Sequence, residues 1–350
     1  MVCIAAFIIL ALIGIFVAII SIFKPQVWKS YVKMFKKSWG CLWKKVRLQK
    51  CETGFKDDVK NTLLSRVIVK HPKWVKPLSV LIEVLSILIV VVAVWAILTA
   101  IKSLLALWAL GSCNVTKPSA CSLGAEMCSI DQSEPTNFFE ATGRWFTEWG
   151  DIFEAIPDKF KTYEAEDYRL NYITYPSSGE AERPVALSIF DPGCTVCLSS
   201  YLNEKASGFF DKYDVRLVPF AIQDADGRYK FANSETIVRY MFAGEQLRAG
   251  LSVRILDRLF TEKDEEGRSW QMLFNDIFSA EEATATLDRW LADFGLDAAG
   301  IAELKKIAAE PEVTAKMTKN REIVENELRV NGIPTLVYDG AKHTGLYKAE

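Results

Sequence analysis

Cys194 and Cys197 are separated by Thr195 and Val196, and they fall where an apolar run gives way to a helical pattern. The run, residues 184–190, reads Pro-Val-Ala-Leu-Ser-Ile-Phe and has the length of a buried strand. Asp191-Pro192-Gly193 follows it, and then the cysteines open a helix. A two-residue spacing puts both thiols on one helical turn, where they can join without unwinding it. A helix N-terminus offers unpaired N–H groups and a positive dipole end, which lowers the pKa of a thiol placed there. The thiolate is the species that attacks a disulfide. Two plainer readings stand beside this one. The pair could be a structural disulfide, or half of a zinc site, although the residues after 110 hold no second CxxC and no HxxxH.

A second motif bears on the same chemistry. Asn331-Gly332-Ile333-Pro334-Thr335-Leu336-Val337 sets a proline at the start of an apolar strand. Its Gly-Ile-Pro-Thr-Leu resembles the cis-proline loop of the thioredoxin superfamily. Phe190-Asp191-x-x-Cys194-x-x-Cys197 resembles the active site of its Dsb-type disulfide oxidoreductases, the DsbC, DsbG and DsbA-like proteins of the bacterial envelope. The resemblance covers about residues 168–347. It implies an α/β, thioredoxin-like fold with a long helical insertion at about 234–330. It implies that Cys194 is the exposed nucleophile, that Cys197 is the resolving thiol, and that Pro334 is cis and faces them. The Ile333 backbone would pair with an extended substrate chain, as in strand addition, beside Thr195 and Val196. The reaction would be thiolate attack, a mixed disulfide at Cys194, and release by Cys197. No cofactor is implied. The partners implied are envelope proteins with cysteines and a membrane or periplasmic redox partner.

The sequence departs from that pattern in three places. Thr195-Val196 lacks the His, Tyr or Pro common between such cysteines, so a couple less oxidising than a strong oxidase is expected. Ser188 stands where plain thioredoxin has a buried Asp, which leaves the proton acceptor unassigned. Only ten residues follow Gly340, too few for a last strand and a closing helix. Either the chain is truncated or another element, such as an aromatic helix at 138–156, covers that face of the sheet.

The elements that must position these residues can be read from periodicity. Strands are expected at 170–175, 184–190, 215–222, 335–338 and 343–347, with a turn at Asp339-Gly340. Helices are expected at 198–213, 235–260, 269–278, 280–294, 298–308 and 311–329. Ser279 to Glu282 reads as a capping box, and Gly295 as a helix stop. Residues 111–135 read as a loop with three cysteines. Asn114-Val115-Thr116 matches a glycosylation sequon, a tripeptide common by chance. Phe139, Phe146, Trp149 and Phe153 recur at helical spacing. That helix would either pack on the domain or lie on a membrane surface.

The chain has 350 residues, 50% of them hydrophobic, 25% charged, and a net charge of −2. These averages hide a division. Residues 1–23 carry no charged side chain and would span about 34 Å as a helix, enough for a ~30 Å hydrocarbon core. A cleaved signal peptide is the alternative. A second apolar run, 78–110, has an uncharged centre at 84–101 bracketed by Glu83 and Lys102. Residues 24–76 hold fifteen Lys and Arg against Glu52, Asp57 and Asp58, a net of +12. Positive loops remain cytoplasmic. The expected organisation is transmembrane helix 1–23, cytoplasmic basic loop 24–77, transmembrane helix 78–110, linker with aromatic helix 111–167, and thioredoxin-like domain 168–350. Both termini would be periplasmic in a bacterial inner membrane. The parts outside the spans and the loop hold 26 basic and 40 acidic residues, a net of −14. Nucleic acid is not an expected partner: the positive-inside rule accounts for the basic loop. Its Trp28, Tyr31, Phe35, Trp39 and Trp43 suit an amphipathic stretch on an anionic leaflet.

Of eight cysteines, Cys113, Cys121, Cys128, Cys194 and Cys197 fall on the expected outer side, where disulfides persist. Five is odd. If Cys194 and Cys197 pair, the other three can make one structural bridge and leave one thiol, and spacing alone does not choose among them. The two histidines, His71 and His343, make a histidine-rich metal site or a Ser-His-Asp triad unlikely. No metal is expected. Metal delivery is a weaker reading, with His343 its one outer candidate. The main rival to a membrane-anchored thiol–disulfide oxidoreductase is an accessory or structural subunit of a larger membrane complex.

Overall fold

The computed structural model describes residues 25–47, 72–116, 118, 126–130, 135–176, 182–224 and 226–348. The chain divides into two compact units, Met1–Ile101 and Lys102–Glu350. The expected span at 1–23 lies outside the described residues, as do His71 and Cys121.

In the first unit, α1 (Pro25–Val46) occupies the segment expected as a basic loop. A helix here agrees with the amphipathic stretch expected within that segment. Tyr31, Phe35, Trp39 and Trp43 recur every four residues and form one helical stripe, behind a proline at the first helical position. The second helix, α2 (Val75–Leu110), has 36 residues and is long and apolar enough to cross a membrane. Its final residues, from Lys102, belong to the second unit.

The second unit is built on a five-stranded sheet of order β2-β4-β3-β6-β7. The strands are β2 (Ile173–Thr174), β3 (Val185–Phe190), β4 (Asp214–Pro219), β6 (Thr335–Tyr338) and β7 (Ala341–Thr344). β3 and β4 run parallel; β2 on β4, β6 on β3 and β7 on β6 are antiparallel. The central position of β3 explains its unbroken apolar sequence: 186–190 are all buried. Asp339 and Gly340, both at positive φ, close the β6–β7 hairpin. A separate two-stranded ladder pairs β1 (Cys128–Ser129) with β5 (Gly332–Ile333).

α4 (Thr195–Ala206) follows β3, and the short α5 (Phe209–Lys212) precedes β4. The expected single helix at 198–213 is broken at Gly208, whose φ of +74° an L side chain rarely adopts. The insertion between β4 and β5 is helical as expected, in more pieces. It holds α6 (Ser234–Leu247), α7 (Leu251–Thr261), α8 (Trp270–Met272), α9 (Ala280–Asp293), α10 (Ala298–Ala309) and α11 (Pro311–Glu322). Gly250 at positive φ separates α6 from α7. The Ser279 capping box forms, with Glu282 returning the bond to the Ser279 N–H at 2.8 Å. α6 packs on α7, α9, α10 and α11, and α4 packs on α7.

α3 (Phe138–Ala155) does not cover the sheet. Its buried Ile152 and Ala155 cluster with Ala106 and Ala109 of α2. Residues 163–170 take the place offered to it. Tyr163, Ala165, Tyr168 and Leu170 enter the main core, and the Tyr163 N–H donates to the Gly340 carbonyl at 2.9 Å.

Candidate redox site

The turn from β3 into α4 brings the two cysteines to the end of the central strand. Cys194 is the N-cap of α4, with extended backbone, and its Sγ accepts from the Cys197 N–H at 3.4 Å. This is the helix-terminal environment that favours a sulfur anion. The turn itself is held from three sides. The Asp191 carboxylate accepts from the N–H groups of Gly193 and Ile222, each at 2.7 Å, and from the Ser234 hydroxyl. Gln271 donates to the carbonyls of Pro192 at 2.7 Å and Cys194 at 3.0 Å. Asn275 donates to the Gly193 carbonyl at 2.7 Å. A Cβ on Gly193 would run into the Cβ and ring of Phe231, so no larger residue fits there. One purpose of the helical insertion is thereby visible: its α8 region clamps the cysteine-bearing turn.

The Ile333–Pro334 peptide is cis, and the Ile333 carbonyl oxygen lies 3.9 Å from Cys194 Sγ. That sulfur carries no proton, because Cys194 is disulfide-bonded, so the approach is a contact and not a hydrogen bond. Its partner is Cys128, with a Cα–Cα separation of 6.1 Å. Two expectations are corrected by this bond. Cys194 does not pair with Cys197, which is a free buried thiol. Cys128 is not part of a structural staple within 113–128, while Cys113 is disulfide-bonded. Cys194 is also not exposed: its relative exposure is 0%, because the segment carrying Cys128 lies on it. Thr195 is exposed and Val196 half-buried beside it. His343 stacks on Tyr338 at a ring separation of 4.4 Å, on β7. Among the described residues no group of His, Cys, Asp and Glu could hold a metal ion.

Cys197 is held protonated. Burial pushes its thiol well above the usual value, against a hydrogen bond at the Asp191 backbone, and the Asp191 and Glu204 carboxylate charges add to the rise. Both carboxyls are themselves fully buried. Burial raises Asp191 to about 6, against its three hydrogen bonds. Burial likewise raises Glu204 to about 7, against hydrogen bonds from Ser200 and Ser188. Ser200 Oγ donates to Glu204 at 2.8 Å and Ser188 Oγ at 3.4 Å. Ser188 thus supports an acid that arrives from α4, at the place where its own side chain supplies none. Both carboxyls lie close enough to the Cys197 thiol to act on it through their charge. The sequence reading missed Glu204, yet a signal was present. Cys197, Ser200, Tyr201 and Glu204 follow the i, i+3, i+4, i+7 stripe of a core-facing helix.

No protein-family model matches the chain, and no curated protein does. Several solved structures of disulfide oxidoreductases are similar to about half of it. The thiol-disulfide exchange protein alpha-DsbA2 from Wolbachia pipientis shares 17% identity, covering 51% of this chain and 82% of that one, with a TM-score of 0.36. The cytosolic disulfide reductase DsbM from Pseudomonas aeruginosa shares 19%, covering 45% and 88%, with a TM-score of 0.32. The oxidoreductase DsbA from Xylella fastidiosa shares 18%, covering 52% and 83%, with a TM-score of 0.33.

Proposed function

We propose that this chain is a thiol–disulfide oxidoreductase of thioredoxin-like fold, anchored in a bacterial inner membrane and acting on cysteine-containing envelope proteins. The observation that carries the reading is one cluster. A cysteine caps a helix behind a central parallel strand, a cis-proline loop faces it, and a second thiol is buried one turn on. Cys194 attacks a client disulfide as the thiolate, its charge favoured by the α4 N-terminus. The bond forms between Cys194 and one client sulfur, and the other leaves as a thiolate. Cys197, deprotonated toward Asp191 or Glu204, then attacks Cys194 Sγ and releases the second client sulfur. The same steps in reverse oxidise a client dithiol.

The anchor would be α2 with the segment at 1–23, the basic residues around α1 remaining cytoplasmic. The exposed phenyl groups of α3 favour a second, compatible reading. Phe138 and Phe139 are 78% and 85% exposed, and such a face suits contact with lipid or with subunits of a membrane complex. The test of the catalytic reading is reduction of insulin by the full chain in detergent with dithiothreitol as electron donor. Cys194→Ser abolishes the acceleration if the reading is right. Equal rates with and without Cys194 would overturn it.

A further inference from the structure

The strand opposite the cis-proline loop is where the proposed reaction needs an extended client. In this chain that place is filled by its own residues 126–130. β1 pairs antiparallel with β5, Cys128 opposite Ile333 and Ser129 opposite Gly332. The ladder continues at one end, and the segment after β7 holds the other. The Ile130 N–H donates to the Asn331 carbonyl at 3.0 Å, and the Leu346 N–H donates to the Glu126 carbonyl at 2.9 Å. Side chains fix the register. Met127 lies on Gly332, where an added Cβ would stand 2.5 Å from its Sδ. Ser129 is fully buried, and Lys230 donates to its carbonyl at 2.9 Å. Cys128 between them is bonded to Cys194.

We infer that residues 126–130 are an internal substrate, and that Cys128 is a third redox-active cysteine holding the site as a resting mixed disulfide. The inference rests on the proposed thiol–disulfide exchange and deepens it. Strand pairing, a side chain over Gly332, and a sulfur on Cys194 are the three contacts an extended client would make. Opening the site requires one balanced exchange. The Cys197 thiolate attacks Cys194 Sγ, the Cys194–Cys197 bond forms, and the Cys128–Cys194 bond breaks. The proton lost by Cys197 ends on the Cys128 thiol, and no electrons leave the protein. The site is then oxidised and vacant. The internal occupant also describes the client: an extended segment with an apolar residue before its cysteine, a small one after it, and an apolar one next. A tethered occupant acts at an effective concentration in the millimolar range, so a free peptide at about 10 μM competes at a disadvantage of about 100-fold or more.

The experiment has two arms on the full chain in detergent. In the first, the oxidised protein is digested without reductant and its disulfides are mapped. Cys128 joined to Cys194, with Cys197 alkylated only after denaturation, is the expected result. In the second, wild type carrying the Cys128–Cys194 bond and reduced Cys128→Ser are each offered a 126–130 peptide activated as a mixed disulfide with thionitrobenzoate. Thionitrobenzoate is released by attack of Cys194 about 100-fold faster, or more, from the variant than from wild type, and faster with this peptide than with a scrambled one, while Cys197 resists alkylation before the peptide is added and so reports an intact fold. A map showing Cys194–Cys197 with Cys128 elsewhere overturns the inference, as do equal capture rates. If insulin reduction persists in either case, the exchange reading survives it. If Cys128→Ser neither captures peptide nor reduces insulin, both readings fail.

Discussion

Replacing Glu204 by Gln isolates the energetic burden of a buried acid beside the resolving thiol. The Glu204 carboxyl has 1% exposure in its residue and titrates at about 7, raised from 4.5 by burial. In the unfolded chain it has lost its proton by about pH 5, while in the folded chain it keeps it to about pH 7. The folded state therefore binds more protons across that window, and its stability falls as pH rises through it. At about 1.4 kcal/mol per pH unit, the loss attributable to Glu204 is about 3 kcal/mol. Asp191, raised from 3.8 to about 6, adds a loss that is complete one pH unit earlier. Gln retains an oxygen for the Ser200 hydroxyl and turns its amide toward Ser188, whose hydroxyl rotates to accept. The variant and the wild type should thus be nearly equal in stability at about pH 5. The variant should be the more stable by about 3 kcal/mol at about pH 8. Urea unfolding of the full chain in detergent, followed by tryptophan fluorescence at several pH values, measures the difference. Parallel stability curves for the two proteins would refute the reasoning, because they would mean that Glu204 titrates alike in both states.

Other substitutions test the clamp on the cysteine turn. Gly193→Ala forces a methyl into Phe231 and should cost about 1–3 kcal/mol, read as a lower urea midpoint at unchanged slope. Gln271→Leu removes the side-chain donor to the Pro192 carbonyl and one of two donors to the Cys194 carbonyl, which keeps the Leu198 N–H. It should cost about 2–3 kcal/mol in the same assay and slow insulin reduction, with the alkylatable thiol count unchanged. Asp191→Asn sets an amide donor against three donors but escapes the burial of a carboxylate, so its destabilisation should be larger at about pH 4 than at about pH 8, measured by the same unfolding.

The central strand, the capped helix and the proline loop were legible because each is a local pattern. The apolar run at 184–190 announces burial on both faces, and the Ser279 box and the Asp339-Gly340 turn are short-range chemistry. The broken helices are a different matter. Gly208 and Gly250 interrupt otherwise continuous helical periodicity, and a glycine inside such a pattern does not reveal that it will adopt a positive φ. The pairing of Cys128 with Cys194 was out of reach for a stronger reason. It depends on β1 meeting β5 across most of the second unit, and two-residue strands leave no periodic trace. Only the odd number of cysteines after residue 110 hinted at an unusual partner. Asp191 was visible as part of a motif, but its burial and its three donors come from the tertiary fold, through Ile222 and Ser234.

The account turns on Cys194 as the sulfur that engages clients, and trapping in cells tests it most directly. Removing Cys197 alone would leave Cys194 tied to Cys128, so the informative protein is the double variant Cys128→Ser with Cys197→Ser. Full-length double variant expressed in the native host should accumulate disulfide-linked adducts that reductant removes and that disappear when Cys194→Ser is added. Absence of any adduct, or adducts that persist without Cys194, would contradict it.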